Sequence, residues 1–108
     1  MMNELERVIY INNLFQLYGK LLSITQQEII LDYYEYNLSL SEIAENRNIS
    51  RAAVDDALKK GVSKLEKYEE DLNLYRRNED IKSLLNKLKD KNLDDESLKI
   101  IKEIEGRI

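Results

Sequence analysis

With 108 residues and no cysteine, histidine or proline, the chain has length for about one small domain. It cannot build disulfides, thiolate or imidazole metal sites, or a near-neutral acid–base pair, so no metal, no cofactor and no enzyme activity are expected. The net charge of -4 and pI near 5.0 exclude a protein that coats nucleic acid indiscriminately, while leaving room for a local basic patch.

Three glycines and a 43% apolar fraction against 35% charge fit a folded chain of long helices, and no sheet is expected. The apolar clusters are all interrupted well short of a membrane-spanning length, and MMNELERV has no basic-then-apolar leader pattern, so a cytoplasmic protein without membrane contact is the expectation.

Taken in order, residues 3–18 carry Leu5, Val8, Ile9, Ile11, Leu14, Phe15, Leu17 and Tyr18, which cover more than one stripe of a helix and call for packing on two sides. Gly19 reads as the stop or loosening point of that helix. Thr25, with Glu28 three residues later, reads as the capping box of a second helix through Ile29, Ile30, Tyr33 and Tyr34, ended by Asn37. Tyr33, Tyr34 and Tyr36 offer rings for base stacking, but at helical spacing the half-buried edge of a core is the better reading.

Residues 39–60, SLSEIAENRNISRAAVDDALKK, hold two further helix starts in quick succession, Ser39 with Glu42 and then Ser50. Ile43 and Ala44 supply the inward face of the first helix, Ile49 plugs the turn, and Val54 and Leu58 supply the inward face of the second. Ala44 suits the close crossing, and Asn48 suits left-handed backbone in the turn. This is helix-turn-helix spacing, although an ordinary helix pair in a bundle would satisfy it too.

Beyond Ser50 a seam of Val54, Leu58, Gly61, Leu65, Tyr68, Leu72 and Tyr75 alternates steps of four and three. One rod about 37 Å long is predicted, braced on the first helix or on the same rod of a second subunit. Gly61 marks a weak point or a close helix approach. Two shorter helices follow as a C-terminal hairpin over about 79–105, one through Ile81, Leu84, Leu85 and Leu88, the other starting near Asp94 with Leu98, Ile101 and Ile104, joined by a loop of Lys89, Asp90, Lys91 and Asn92. The expectation is one helical domain over 1–108, its helix-turn-helix core at about 24–62. Glu69/Glu70 and Asp94/Asp95 are sequence neighbours and so cannot face one another as a catalytic pair; they read as solvated helix surface.

The segment from Ile24 to about Tyr68 resembles region 4 of bacterial sigma factors, through its ITQQE helix, its SLSEIA helix and its ISRAAV recognition helix. With the apolar N-terminal helix and the KLEKYE rod, nearly the whole chain is similar to the YlxM family of small helix-turn-helix proteins, encoded beside the signal recognition particle GTPase in low-GC bacteria. The resemblance implies an all-α fold and a regulatory or accessory role linked to that pathway, with particle protein or RNA as partner. Family members usually carry glutamine and tyrosine where this chain has Ala52 and Asp55.

With Val54 pointing inward, Ala52, Asp56, Lys59 and Ser63 point away, flanked by Asp55. Asp55 with Lys59 and Asp56 with Lys60 stand at i,i+4, acid first, so each lysine has a partner on its own helix. Ser50 and Arg51 at the helix start are the best phosphate anchor. The candidate nucleic-acid face is therefore Ser50, Arg51, Ala52, Asp55 and Lys59, binding DNA weakly and with strong salt dependence. The competing reading is a non-catalytic module that keeps the fold, dimerises through the rod and first helix, and binds protein or structured RNA.

Overall fold

The computed structural model describes residues 1–108 and is entirely helical. Helix α1 spans Glu4–Tyr18, α2 spans Ile24–Ile30, α3 spans Leu40–Arg47, α4 spans Arg51–Leu72, α5 spans Leu74–Lys89 and α6 spans Asp95–Glu105. The chain divides into two compact units, Met1–Leu72 and Asn73–Ile108.

In the first unit each boundary has a local chemical cause. Asn3 caps α1 by accepting the Glu6 N–H at 2.8 Å. At Gly19 the helix tightens into a 3₁₀ turn, Gly19–Leu21, with Gly19 still right-handed. The cap of α2 is Ser23 and not Thr25: Ser23 Oγ accepts the Gln26 N–H, and the Gln26 side chain accepts the Ser23 N–H, both at 3.2 Å. The shift follows from Leu22, which is buried in extended backbone and so places the next residue at the cap. Helix α2 widens into a π-helical turn over Leu31–Glu35 and stops at Asn37, whose φ is 55°. Asparagine tolerates this left-handed geometry better than other side chains.

The α4 helix is the axis of this unit and packs against α1, α2 and α3. Ile11, Leu14 and Tyr18 from α1, Ile29 and Ile30 from α2 and Ile43 from α3 are buried together with Val54, Leu58, Val62 and Leu65 from α4. At Gly61 α2 comes close: a Cβ there would lie 2.8 Å from Ile30 Cδ1, so any side chain would force that buried residue to move. The apolar seam of α4 is thus used inside the chain. It also ends early, because Asn73 adopts left-handed backbone (φ 55°) and breaks the expected rod after 22 residues, about 33 Å. Leu72, the last seam position before the break, is 53% exposed.

Two polar ties were not foreseen. Tyr18 Oη donates to Glu69 Oε1 at 2.7 Å, and Glu69 is buried, which overturns its reading as solvated surface; Glu70 is exposed. Arg7 bridges to Glu66 at 3.0 Å and joins α1 to α4. Of the tyrosines, Tyr34 is half-buried and stands edge-on to Tyr33 at 5.0 Å between ring centres, while Tyr36 is exposed.

In the second unit, α5 starts directly after Asn73, earlier than the apolar pattern indicated, since a left-handed residue lets a new helix begin at once. Lys89 is the last residue of α5 and not part of the loop. Asp94 caps α6 by accepting the Ser97 N–H at 2.8 Å and is not idle surface. Leu85 of α5 and Ile101 of α6 are buried, and Lys89 pairs with Glu105 at 2.6 Å across the hairpin.

Candidate nucleic-acid interface

Helices α3 and α4 with the turn between them form the candidate site. Ser39 and Glu42 make a reciprocal capping box at the start of α3, with bonds of 3.1 and 3.0 Å. The Glu42 carboxyl sits below its ordinary range because the Ser39 backbone N–H, then the Ser39 hydroxyl, favour its charged form. Asn48 ends α3 with φ 55° and ψ 45°, its N–H reaching the Ala44 and Glu45 carbonyls. Ala44 is buried at the crossing, as its size requires. Ile49 is 39% exposed and does not plug the turn; its backbone holds the geometry instead, donating to the Ala44 carbonyl at 3.1 Å.

Ser50 then opens α4. Its Oγ accepts the Ala53 N–H at 3.0 Å, and its carbonyl takes the Val54 N–H at 3.1 Å. The N–H groups of Arg51 and Ala52, one and two residues into the helix, have no partner within the chain. Both residues are exposed, so this helix start presents two unsatisfied donors and the positive end of the helix dipole to solvent.

The cations of the motif are distributed unevenly. Arg47 turns back into the fold: its Nε meets Asp32 Oδ2 at 2.7 Å and its Nη1 meets Glu28 Oε2 at 2.5 Å. The hydrogen bond to Asp32 is the largest cause of its raised pKa. That arginine fastens α3 to α2 and is not available to a phosphate. Lys59 pairs with Asp55 at 2.8 Å, and Lys60 pairs with Asp56 at 3.0 Å; the Asp55 bond holds Lys59 firmly protonated. Arg51 alone among the four stands outside any ion pair.

The five site residues expected from the sequence follow one another along the first turns of α4. Ser50, Arg51 and Ala52 are exposed at its start, and Asp55 and Lys59 meet one another further on. Asp55 and Lys59 also edge an open cleft of about 390 Å³ that Arg7, Tyr34, Leu58 and Glu66 help to line. The Arg47 clamp went unread because Glu28 and Asp32, spaced i,i+4 along α2 and the π-helical turn that follows it, look like any solvated acidic edge until α3 is laid beside them. No group of acidic side chains in the molecule is arranged to hold a metal ion, and no helix is long and apolar enough to cross a membrane.

Residues 5–104 match the family model UPF0122, described as "Putative helix-turn-helix protein, YlxM / p13 like". The chain belongs to this family. Among UPF0122 relatives it is 43% identical over 86 residues to protein FN1394 of Fusobacterium nucleatum subsp. nucleatum, spanning 80% of this chain and 84% of that one. It is 41% identical over 97 residues to protein MYPE4850 of Malacoplasma penetrans, spanning 90% of each. It is also 41% identical over 87 residues to YlxM of Bacillus subtilis, spanning 81% of this chain and 79% of that one. The family description is thus that of a helix-turn-helix protein.

Proposed function

We propose that this protein is a cytoplasmic, non-catalytic regulatory or accessory component of the signal recognition particle pathway that binds DNA weakly through Ser50, Arg51, Ala52, Asp55 and Lys59. One observation carries the nucleic-acid reading: an exposed helix start where Arg51, the unpaired cation of the motif, stands beside two free backbone N–H groups. A phosphate oxygen fits such a place, receiving amide donors, the helix dipole and a guanidinium together. The pathway link rests on the family resemblance.

Because Lys59 and Lys60 are tied to aspartates on their own helix, few phosphates are neutralised. The log of the affinity should fall against the log of salt with a slope of only about -1 to -2. The test is anisotropy or gel shift at low salt with labelled DNA from upstream of the protein's own operon, beside the structured RNA of the particle. Arg51→Ala is expected to weaken DNA binding about tenfold, roughly 1.4 kcal/mol, and to flatten the salt slope. No shift with wild type at low salt would sink the DNA reading.

The neutral face built by Asp55–Lys59 and Asp56–Lys60 favours a second reading, in which the fold is kept but the partner is a protein or RNA of the particle. Asp55→Asn with Asp56→Asn separates the two. It frees both lysines and strengthens DNA binding if the helix lies on phosphate, whereas a partner that needs the carboxylates is lost.

A further inference from the structure

The second unit leaves one side of its hairpin apolar and uncovered. At about 100° per residue, Leu84 and Leu88 lie roughly 60–100° to one side of the buried Leu85 on α5, and Ile100 and Ile104 lie at the same angles from Ile101 on α6. The two helices run antiparallel, so both pairs emerge on the same face of the hairpin. Lys89 and Glu105, each about 40° to the other side, pair on the opposite face. Leu84 is 63% exposed, Leu88 44%, Ile100 52% and Ile104 39%. Four such side chains together form an apolar patch on the order of 300 Å², comparable to the largest patch on an ordinary monomer, which is often functional.

The charges beside the patch indicate what covers it. Helix α5 carries five cations against Glu79 and Asp80, and α6 carries four carboxylates against Lys99 and Lys102. On the apolar face the flanks are Arg77, Asp80 and Lys87 on α5, net positive, and Glu96 and Glu103 on α6, negative. A surface positive along one helix and negative along its neighbour is complementary to itself under a two-fold rotation, which lays each α5 on the partner's α6. With the flanking charges included, the contact is of the kind that closes a four-helix bundle. We infer that Leu84, Leu88, Ile100 and Ile104 are the centre of a homodimer interface in which the C-terminal hairpins of two copies pack face to face, α5 of one against α6 of the other.

The full chain decides this by sedimentation velocity with circular dichroism as a fold control. Wild type is expected at twice its 12.8 kDa mass at micromolar concentration. Leu84→Lys with Ile104→Lys should raise the dimer dissociation constant at least tenfold without loss of helix, both positions being open to solvent. Leu5→Lys with Ile9→Lys, on the exposed side of α1, should leave the dimer intact. Arg77→Glu/Lys87→Glu and Glu96→Lys/Glu103→Lys should each be monomeric alone, yet associate when mixed, because the mixture restores opposite charge at both inter-subunit contacts while the charges within each hairpin stay mismatched. A monomer at every concentration, a dimer lost through α1 but kept through the hairpin variants, or charge variants that fail to combine would each overturn the proposal.

Discussion

The two units of this chain solve the burial problem differently. In the first, α4 is covered from three directions by α1, α2 and α3, and Ile11, Leu14, Ile29, Ile43, Val54 and Leu65 reach full burial. In the second, two helices have only one shared seam, and Leu85 and Ile101 are its buried apolar side chains. Amphipathic patterning is present in both. The difference shows that patterning supplies faces, while closure of a core needs elements arriving from enough directions to cover them.

The largest test of that contrast is truncation. Leu65→Ala, at a wholly buried position of α4, should cost about 2–5 kcal/mol in urea unfolding, whereas Leu84→Ala on the open face of α5 should change the stability of the dilute chain by less than about 0.5 kcal/mol. Equal costs would break the comparison. Next is overpacking where α2 and α4 touch. Gly61→Val pushes into Ile30 and should cost about 1–3 kcal/mol, read as a fall in Tm.

A smaller effect is expected from the buried polar tie. Tyr18→Phe removes the hydroxyl that donates to Glu69 and should cost about 1–2 kcal/mol by leaving a buried carboxylate one donor short; an unchanged midpoint would show that water replaces the bond. The smallest effect is electrostatic and pH-dependent. The Glu42 carboxyl titrates below its usual range when folded because the Ser39 backbone N–H bonds to it. Its stabilisation is therefore present above the ordinary glutamate range and is lost as pH falls through the lowered folded value. Thermal melts of wild type and Glu42→Gln should differ near neutral pH and converge in acid.

Several features were legible in the residue order because their causes are local. The Ser39–Glu42 box, the helix starts at Ser50 and near Asp94, the stop at Asn37 and the left-handed Asn48 all follow from side-chain and backbone chemistry within a few residues. So do the paired Asp55–Lys59 and Asp56–Lys60 on one helix. Gly61 was readable as a weak point or a close approach because a seam of apolar residues had a gap there, and the contact with Ile30 selects the second. The misreadings have a common origin as well. Thr25 and Ser23 both satisfy a capping pattern, and only the burial of Leu22 selects the second. The seam continues through Leu72 to Tyr75, yet Asn73 turns left-handed and divides it, a choice that the periodicity leaves open.

What the sequence determined by itself is thus the helical class, the helix-turn-helix and the lack of any thiol or imidazole side chain. Only the tertiary structure decided that the α4 seam from Val54 to Leu65 is covered within the chain, that Arg47 is drawn into Asp32 and Glu28 while Arg51 stays free, and that Glu69 is buried against Tyr18. Capping, turn geometry and helical periodicity act over at most a few residues and are written in order along the chain. Which of several like-charged or apolar side chains finds which partner depends on helices 15 to 59 residues apart in sequence being brought side by side.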